Sequence, residues 1–171
     1  TNYLSPSEYG EYTTIYDYTA LFAIIADFGL FTIAVREMAH NDDKTEVEKI
    51  VGNVLSIRIA LALAAFSLAF IAAWLIPAYR DSHIPIGVAI VSIATVITLI
   101  AGTMSSVLQF RLRMAWAAIA LTVGKAITVG YIAATILFFF PNNPDTGFYH
   151  LLLAWILGGI FAVVITFGAA R

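Results

Sequence analysis

Apolar residues dominate the chain in five long runs, and most of the charged residues fall in short groups between them. The most uniform run covers residues 85–110 and contains no Asp, Glu, Lys or Arg. The hydrocarbon core of a bilayer is about 30 Å thick, and about 20 helical residues cross it. Because a helix satisfies its own backbone hydrogen bonds in lipid, the pattern predicts five transmembrane helices. The chain lacks the strict alternation typical of outer-membrane barrel strands, which excludes that class.

The borders of the runs give the predicted spans and connections. The spans cover residues 12–35, 59–76, 86–108, 118–140 and 148–170. The connection 36–58 is charged and amphipathic, which predicts a surface helix that leads into the second span. Segments 77–85 and 141–147 carry prolines among turn-forming residues and predict short exposed loops. The fold class is therefore an all-α integral membrane protein.

The basic residues predict how the spans are oriented. Lys and Arg are enriched in cytoplasmic connections, and here nearly all of them fall on one side, with only Arg80 on the other and Lys125 inside span four. The chain start is then extracytoplasmic and its end cytoplasmic, in a bacterial or archaeal cytoplasmic membrane. Since an odd number of spans begins outside, we expect a preceding helix in a longer full-length protein. The basic residues on the cytoplasmic side are Arg36, Lys44, Lys49, Arg58, Arg111, Arg113 and Arg171.

Composition narrows the function classes further. The chain is 61% hydrophobic and 12% charged, with a net charge of −2, and it has no basic patch that indicates a nucleic-acid partner. It has no cysteine, and its three histidines lie in different connections without metal-ligand spacing. No phosphate-binding glycine loop or nucleophile elbow is present. The sequence therefore predicts no cofactor, no metal site and no enzyme, and its first partner is the lipid bilayer.

Three charged residues lie within the predicted spans, where a charge costs a few kcal/mol unless it finds a partner or a cavity. Asp27 is 15 residues beyond Tyr12, about 22 Å along a helix, so it lies deep in span one. It either bonds to a neighbouring helix or serves transport as a proton carrier or cavity residue. Asp17 lies nearer the interface, and Lys125 either snorkels to the headgroups or attracts an anionic substrate.

Small and polar residues recur at helical spacing in spans three to five. Such residues let helices pack closely and bond across the contact, and they also line wetted paths, so both interpretations stay open. Gly158 and Gly159 in span five predict close packing or a flexible point. The weaker stripe in span four consists of Gly124, Thr128, Tyr131 and Thr135. The stripe in span three consists of Ser92, Thr95, Thr98, Gly102, Ser105 and Gln109.

Two early segments, YLSPSEYGEY and IIADFGLFTIAVREMA, resemble the start of bacterial polysaccharide flippases of the multidrug, oligosaccharidyl-lipid and polysaccharide exporter superfamily. Ser5 stands where that family often has glycine. The later segment VLQFRLRMAWAAIALTVGK is similar to the connection between the family's fourth and fifth helices, and the five spans match its helices two to six. The residues that carry the first two matches are Leu4, Ser5, Pro6, Tyr9, Gly10, Asp27, Gly29, Leu30, Arg36 and Glu37.

The resemblance implies an exporter of 12 to 14 helices in two six-helix lobes, of which this chain is part of the first. Alternating access would carry a polyprenyl-diphosphate-linked oligosaccharide to the outer leaflet, with the remaining helices of the full-length protein as necessary partners. These residues alone would then not transport. Basic side chains in the cavity would attract the anionic lipid-linked saccharide, and the candidates are Arg36, Arg58, Arg111, Arg113 and Lys125.

Other functions remain open at this point. A cation-coupled multidrug exporter of the same superfamily would use Asp27 or Asp17 as its proton carrier. A membrane-embedded transferase would need a clustered acid, base or metal site, and the sequence shows none. A membrane scaffold without transport activity is the third alternative.

Overall fold

The computed structural model describes residues 4–27, 29–40, 43–139 and 144–170, and it confirms the all-helical membrane fold. Five helical segments in this part of the chain are long and apolar enough to span a bilayer: Pro6–Ala39, Thr45–Leu75, Ile84–Phe110, Met114–Phe138 and Thr146–Ala170. The helices are α1 (Pro6–Asp27), α2 (Leu30–Ala39), α3 (Lys44–Leu75), α4 (Pro77–Arg80), α5 (Ile84–Phe110), α6 (Met114–Ala134) and α7 (Pro144–Ala170).

The first span is broken rather than continuous. α1 starts with a capping box, in which the Ser5 amide donates to the Glu8 carboxylate at 2.7 Å and the Glu8 amide donates to the Ser5 hydroxyl at 3.2 Å. α1 ends at Asp27, and α2 begins after Gly29, whose φ of 74° is left-handed. Phe28 lies outside the described residues. Glycine adopts this conformation without the penalty that a Cβ atom imposes, which allows the helix to be interrupted here.

The predicted surface helix and second span form one helix, α3, of 32 residues. Asp43 caps its start by accepting a hydrogen bond from the Thr45 amide at 2.9 Å. Residues 36–39, at the start of the predicted connection 36–58, belong to α2 instead. Arg58, which the sequence placed at the border of the span, therefore lies well inside α3. The sequence contains no proline between 44 and 75, and the change in hydropathy does not end the helix.

Two predicted loops are partly helical. Pro77 starts the single turn α4, and Pro85 lies in the first turn of α5, where a missing backbone N–H costs little. In the same way α7 begins at Pro144, so residues 144–147 are helical. Residues 140–143, the end of the predicted fourth span and the start of the predicted loop, lie outside the described residues, as does Arg171. Beyond α6, residues Thr135–Phe139 continue as a π-helix.

Helix α5 is the centre of the bundle and contacts α1, α2, α3 and α7. One apolar cluster, around Ile15, Val88 and Phe148, joins α1, α5 and α7 at the end where α4 lies. A second cluster joins α2, α3 and α5 at the other end, around Met38 and Val107. We call this second end the basic end because Arg36, Arg111 and Arg113 lie there.

The α5–α6 turn at the basic end has Schellman geometry. The Arg113 amide donates to the Leu108 carbonyl at 2.8 Å, and the Leu112 amide donates to the Gln109 carbonyl at 3.1 Å. Leu112 occupies the left-handed position with φ 54°, where glycine is usual, and its side chain is exposed. The turn therefore satisfies the last carbonyls of α5 at the cost of an unfavourable backbone conformation.

Helices α6 and α7 approach each other at glycines. A Cβ atom on Gly124 would lie 2.8 Å from the Gly158 carbonyl oxygen, and one on Gly158 would lie 2.5 Å from the Gly124 carbonyl oxygen. Thr128 and Ala162 follow one turn later on the same faces, so each helix presents two small residues four positions apart. This is the small-residue packing that brings membrane helices together. It confirms close packing at Gly158.

Candidate functional site

An ion pair connects Asp27 and Arg58 inside the helical bundle. Asp27 is the last residue of α1, and its carboxylate Oδ1 accepts a hydrogen bond from Nη2 of Arg58 on α3. The Arg58 side chain is only 4% exposed, whereas the Asp27 side chain is 41% exposed. The pair therefore has a buried cationic partner and an accessible anionic one.

The other side of the Arg58 guanidinium is held by α5. Its Nη1 donates to the Thr103 hydroxyl at 2.8 Å and to the Leu99 carbonyl at 3.3 Å. Gly102 lies beside the group, since a Cβ atom there would be in ordinary van der Waals contact with Nη1, at 3.6 Å. The Arg58 Nε has no hydrogen-bond partner among the described residues. Three helices thus converge on one cation, whose Nε nitrogen has no partner in the described part of the chain.

This network lies within the membrane-spanning part of the bundle. Thr103 is seven residues before the end of α5 at Phe110, which corresponds to about 10 Å at 1.5 Å per residue. Arg58 is 17 residues before the end of α3 at Leu75, or about 25 Å along that helix. Measured along α5, the ion pair therefore lies nearer the basic end than the α4 end. Ionisable residues at such depth are costly and are associated with substrate or ion pathways.

A groove of about 270 Å³ lies between α1 and α7, over α5. Thr95 and Thr98 line it, but their hydroxyls donate to the carbonyls of Val91 and Ala94 in their own helix, at 2.8 and 3.0 Å. The groove therefore offers little free polarity to a ligand. Trp155 also lines the groove and contacts Tyr16 with ring centroids 5.5 Å apart.

The predicted stripe of span three does not line one surface. Ser92 lines a different groove, between α3 and α5, of about 410 Å³, and its hydroxyl has no partner among the described residues. Gly102 lies beside Arg58, while Ser105 and Gln109 are half-buried nearer the basic end. The stripe thus divides among three neighbouring regions, because residues three and four apart drift around a long helix.

The remaining predicted charged residues are not gathered around Arg58. Arg36, Arg113 and Lys125 are exposed, and Lys125 lies on α6 next to the face that packs on α7. Arg111 donates to the Ala170 carbonyl, where a cation interacts favourably with the C-terminal end of α7. Asp17 is exposed on α1, ten residues before Asp27.

Two contacts near the α4 end involve histidines that the sequence left unconnected. The Nδ1 atom of His83 lies 2.8 Å from the Glu11 carboxylate, and the His83 backbone amide donates to the same oxygen at 3.2 Å. His150 Nδ1 lies 2.7 Å from the Tyr131 hydroxyl. Glu11 and His83 are 72 positions apart, so no local pattern in the sequence indicates this pair.

Comparison with known proteins agrees with the helical architecture and with the resemblance of the early segments. A family model described as polysaccharide biosynthesis protein matches residues 1–170. No curated protein and no solved structure is significantly similar to the chain. The match covers all five spans and the charged network between α1, α3 and α5. This multi-pass membrane chain therefore belongs to the polysaccharide biosynthesis protein family.

Proposed function

We propose that the full-length protein is a flippase that moves a polyprenyl-diphosphate-linked oligosaccharide to the outer leaflet of the cytoplasmic membrane by alternating access. The observation that carries this proposal is the Arg58 network, a cation held inside the membrane in a chain of the polysaccharide biosynthesis family. A polysaccharide built on a lipid carrier must cross the bilayer with its anionic diphosphate. A buried guanidinium is suited to that step because it binds phosphate in a bidentate manner.

The charge distribution supports the proposed direction of transport. Arg36, Arg111 and Arg113 lie at the basic end, which the enrichment of Lys and Arg orients toward the cytoplasm. An anionic headgroup in the cytoplasmic leaflet would be attracted to this end first. Arg58 lies deeper along the same direction. The remaining helices of the full-length protein would complete the cavity, so this chain alone is not expected to transport.

The proposal is tested by flipping of a fluorescent polyprenyl-diphosphate sugar in proteoliposomes that contain the full-length protein. We expect flipping by the unsubstituted protein and its loss in Arg58→Gln, with Arg80→Gln as the matched control at the α4 end. Flipping that is absent in the unsubstituted protein, or undiminished in Arg58→Gln, would contradict the proposal. Size-exclusion chromatography checks that each variant is folded.

The accessibility of Asp27 favours one alternative, a cation-coupled exporter of the same superfamily. A half-exposed carboxylate within a span is a plausible carrier of a proton or cation. That function predicts efflux of a cationic amphiphile from the same proteoliposomes, driven by a pH gradient and abolished in Asp27→Asn. Efflux without sugar flipping would replace the flippase proposal with this one.

A further inference from the structure

The two sides of the Arg58 guanidinium are held in different ways. On the α5 side, Thr103 and Leu99 provide neutral acceptors, and Thr103 is buried. On the α1 side, the acceptor is the charged carboxylate of Asp27, which is 41% exposed. Since burial fixes the first set of contacts, the Asp27 contact is the one that a molecule outside the bundle can reach.

The edge of the guanidinium that faces Asp27 has a donor that Asp27 does not use. In arginine, Nε–H and one N–H of Nη2 point in the same direction and together bind two oxygens of a carboxylate or phosphate. Asp27 bonds to Nη2, while Nε has no partner among the described residues. A phosphate that replaced Asp27 would engage both donors. The edge can thus accept a second oxygen, which Asp27 does not supply in this arrangement.

The backbone allows Asp27 to leave. Asp27 is the last residue of α1, and the left-handed Gly29 separates it from α2. A Cβ atom on Gly29 would meet nothing within 4 Å, so the side of the backbone where it would stand faces open space. A small rotation at the break would therefore move Asp27 without breaking the hydrogen bonds of a continuous helix.

We propose that Asp27 is a displaceable counter-ion, which holds Arg58 until a phosphate of the lipid-linked cargo takes its place. This inference rests on the proposed flippase function and extends it: the Asp27 carboxylate and the phosphate of the cargo compete for Arg58. Removing the charge of Asp27 should then strengthen anion binding, whereas a purely structural ion pair would give no such gain. The exchange also keeps Arg58 paired when no cargo is bound, which avoids an unpaired charge in the membrane.

The test measures binding of radiolabelled geranyl diphosphate to the detergent-solubilised full-length protein by equilibrium dialysis. In Asp27→Asn, the amide oxygen still accepts from Nη2, but the competing charge is gone. We expect binding at least about tenfold tighter than in the unsubstituted protein, in the range of measured couplings between close charges. Arg58→Gln should abolish this gain in the double variant, and Asp27→Glu should bind like the unsubstituted protein. Asp17→Asn, an equal charge change on the same helix, is the matched control.

The outcomes separate the two proposals. If the unsubstituted protein binds geranyl diphosphate and Asp27→Asn binds no tighter, Asp27 is not a competitor and only this inference is overturned. If every variant binds geranyl diphosphate no better than geraniol, the diphosphate is not recognised and the flippase proposal falls as well. Arg58→Lys keeps the positive charge but lacks the paired N–H donors of the guanidinium. Weakened binding of geranyl diphosphate to this variant, if it is folded, would support bidentate binding.

Discussion

Replacing Gly158 with alanine tests the contact between α6 and α7. The new Cβ atom would overlap the Thr128 hydroxyl and lie 2.5 Å from the Gly124 carbonyl oxygen, whereas ordinary contacts begin at 3.4 Å. Thr128 can rotate only by giving up its hydrogen bond to the Gly124 carbonyl at 3.1 Å. The backbone oxygen cannot move alone, so the helices must separate by nearly 1 Å, a gap that forfeits a quarter to a half of local dispersion energy.

This separation should lower the free energy of unfolding by about 1–3 kcal/mol. The assay is unfolding of the full-length protein in mixed micelles, followed by far-ultraviolet circular dichroism as the denaturing detergent increases. Gly168→Ala is the control, since it lies on the same helix and its Cβ atom would meet nothing within 4 Å. Equal stability of the two variants would refute the reasoning, because of the two new Cβ atoms only the one at position 158 would meet α6.

Three further predictions use the same assay. Gly29→Ala should lower the free energy of unfolding by about 1–2 kcal/mol because Gly29 has a left-handed φ of 74°. Gly10→Ala, in open space on α1, is the control and should not lower it. Equal effects of the two changes would show that the backbone conformation at Gly29 is not required. Leu112→Gly should raise the free energy of unfolding by up to about 1 kcal/mol, because glycine adopts the left-handed φ of 54° without the penalty of a Cβ atom. A loss of stability would show that the contacts of the leucine side chain outweigh the unfavourable backbone conformation. Asp27→Ala should lower the free energy of unfolding by about 1–3 kcal/mol because buried Arg58 loses its charged partner. The additional change Arg58→Met should recover much of this loss, and equally low stability of the single and double variants would contradict the prediction.

Hydropathy was sufficient to predict the five spans because lipid imposes the same requirement on each of them. It could not place the break in the first span. Asp27 and Gly29 fit inside an apolar run, and a single glycine is compatible with either a continuous or a broken helix. The extent of α3 was predicted better: the amphipathic stretch before Arg58 was expected to lead as a helix into the second span, and α3 does begin at Lys44.

The candidate site was predicted only in its parts. Asp27 was expected to bond to a neighbouring helix or to serve transport, and Arg58 was expected among the cationic cavity residues, but nothing in the sequence joined them. They are 31 positions apart, and their contact depends on how α1 packs on α3. Thr103 carries no signal of its own in the sequence, since its neighbours Gly102 and Ser105 fit the polar stripe better. Pairing of this kind is a property of tertiary packing rather than of local pattern.

The dependence of α6 on α7 has a consequence for how the protein is made. α6 is the least apolar of the five spans, and it packs mainly on α7 rather than on the central α5. During synthesis α6 reaches the membrane first, when the carbonyls and hydroxyl around Gly124 and Thr128 still face lipid instead of Gly158. The contact surface around Gly124 and Thr128 is therefore completed only after α7 has been made, and α6 then joins the bundle around α5 mainly through α7.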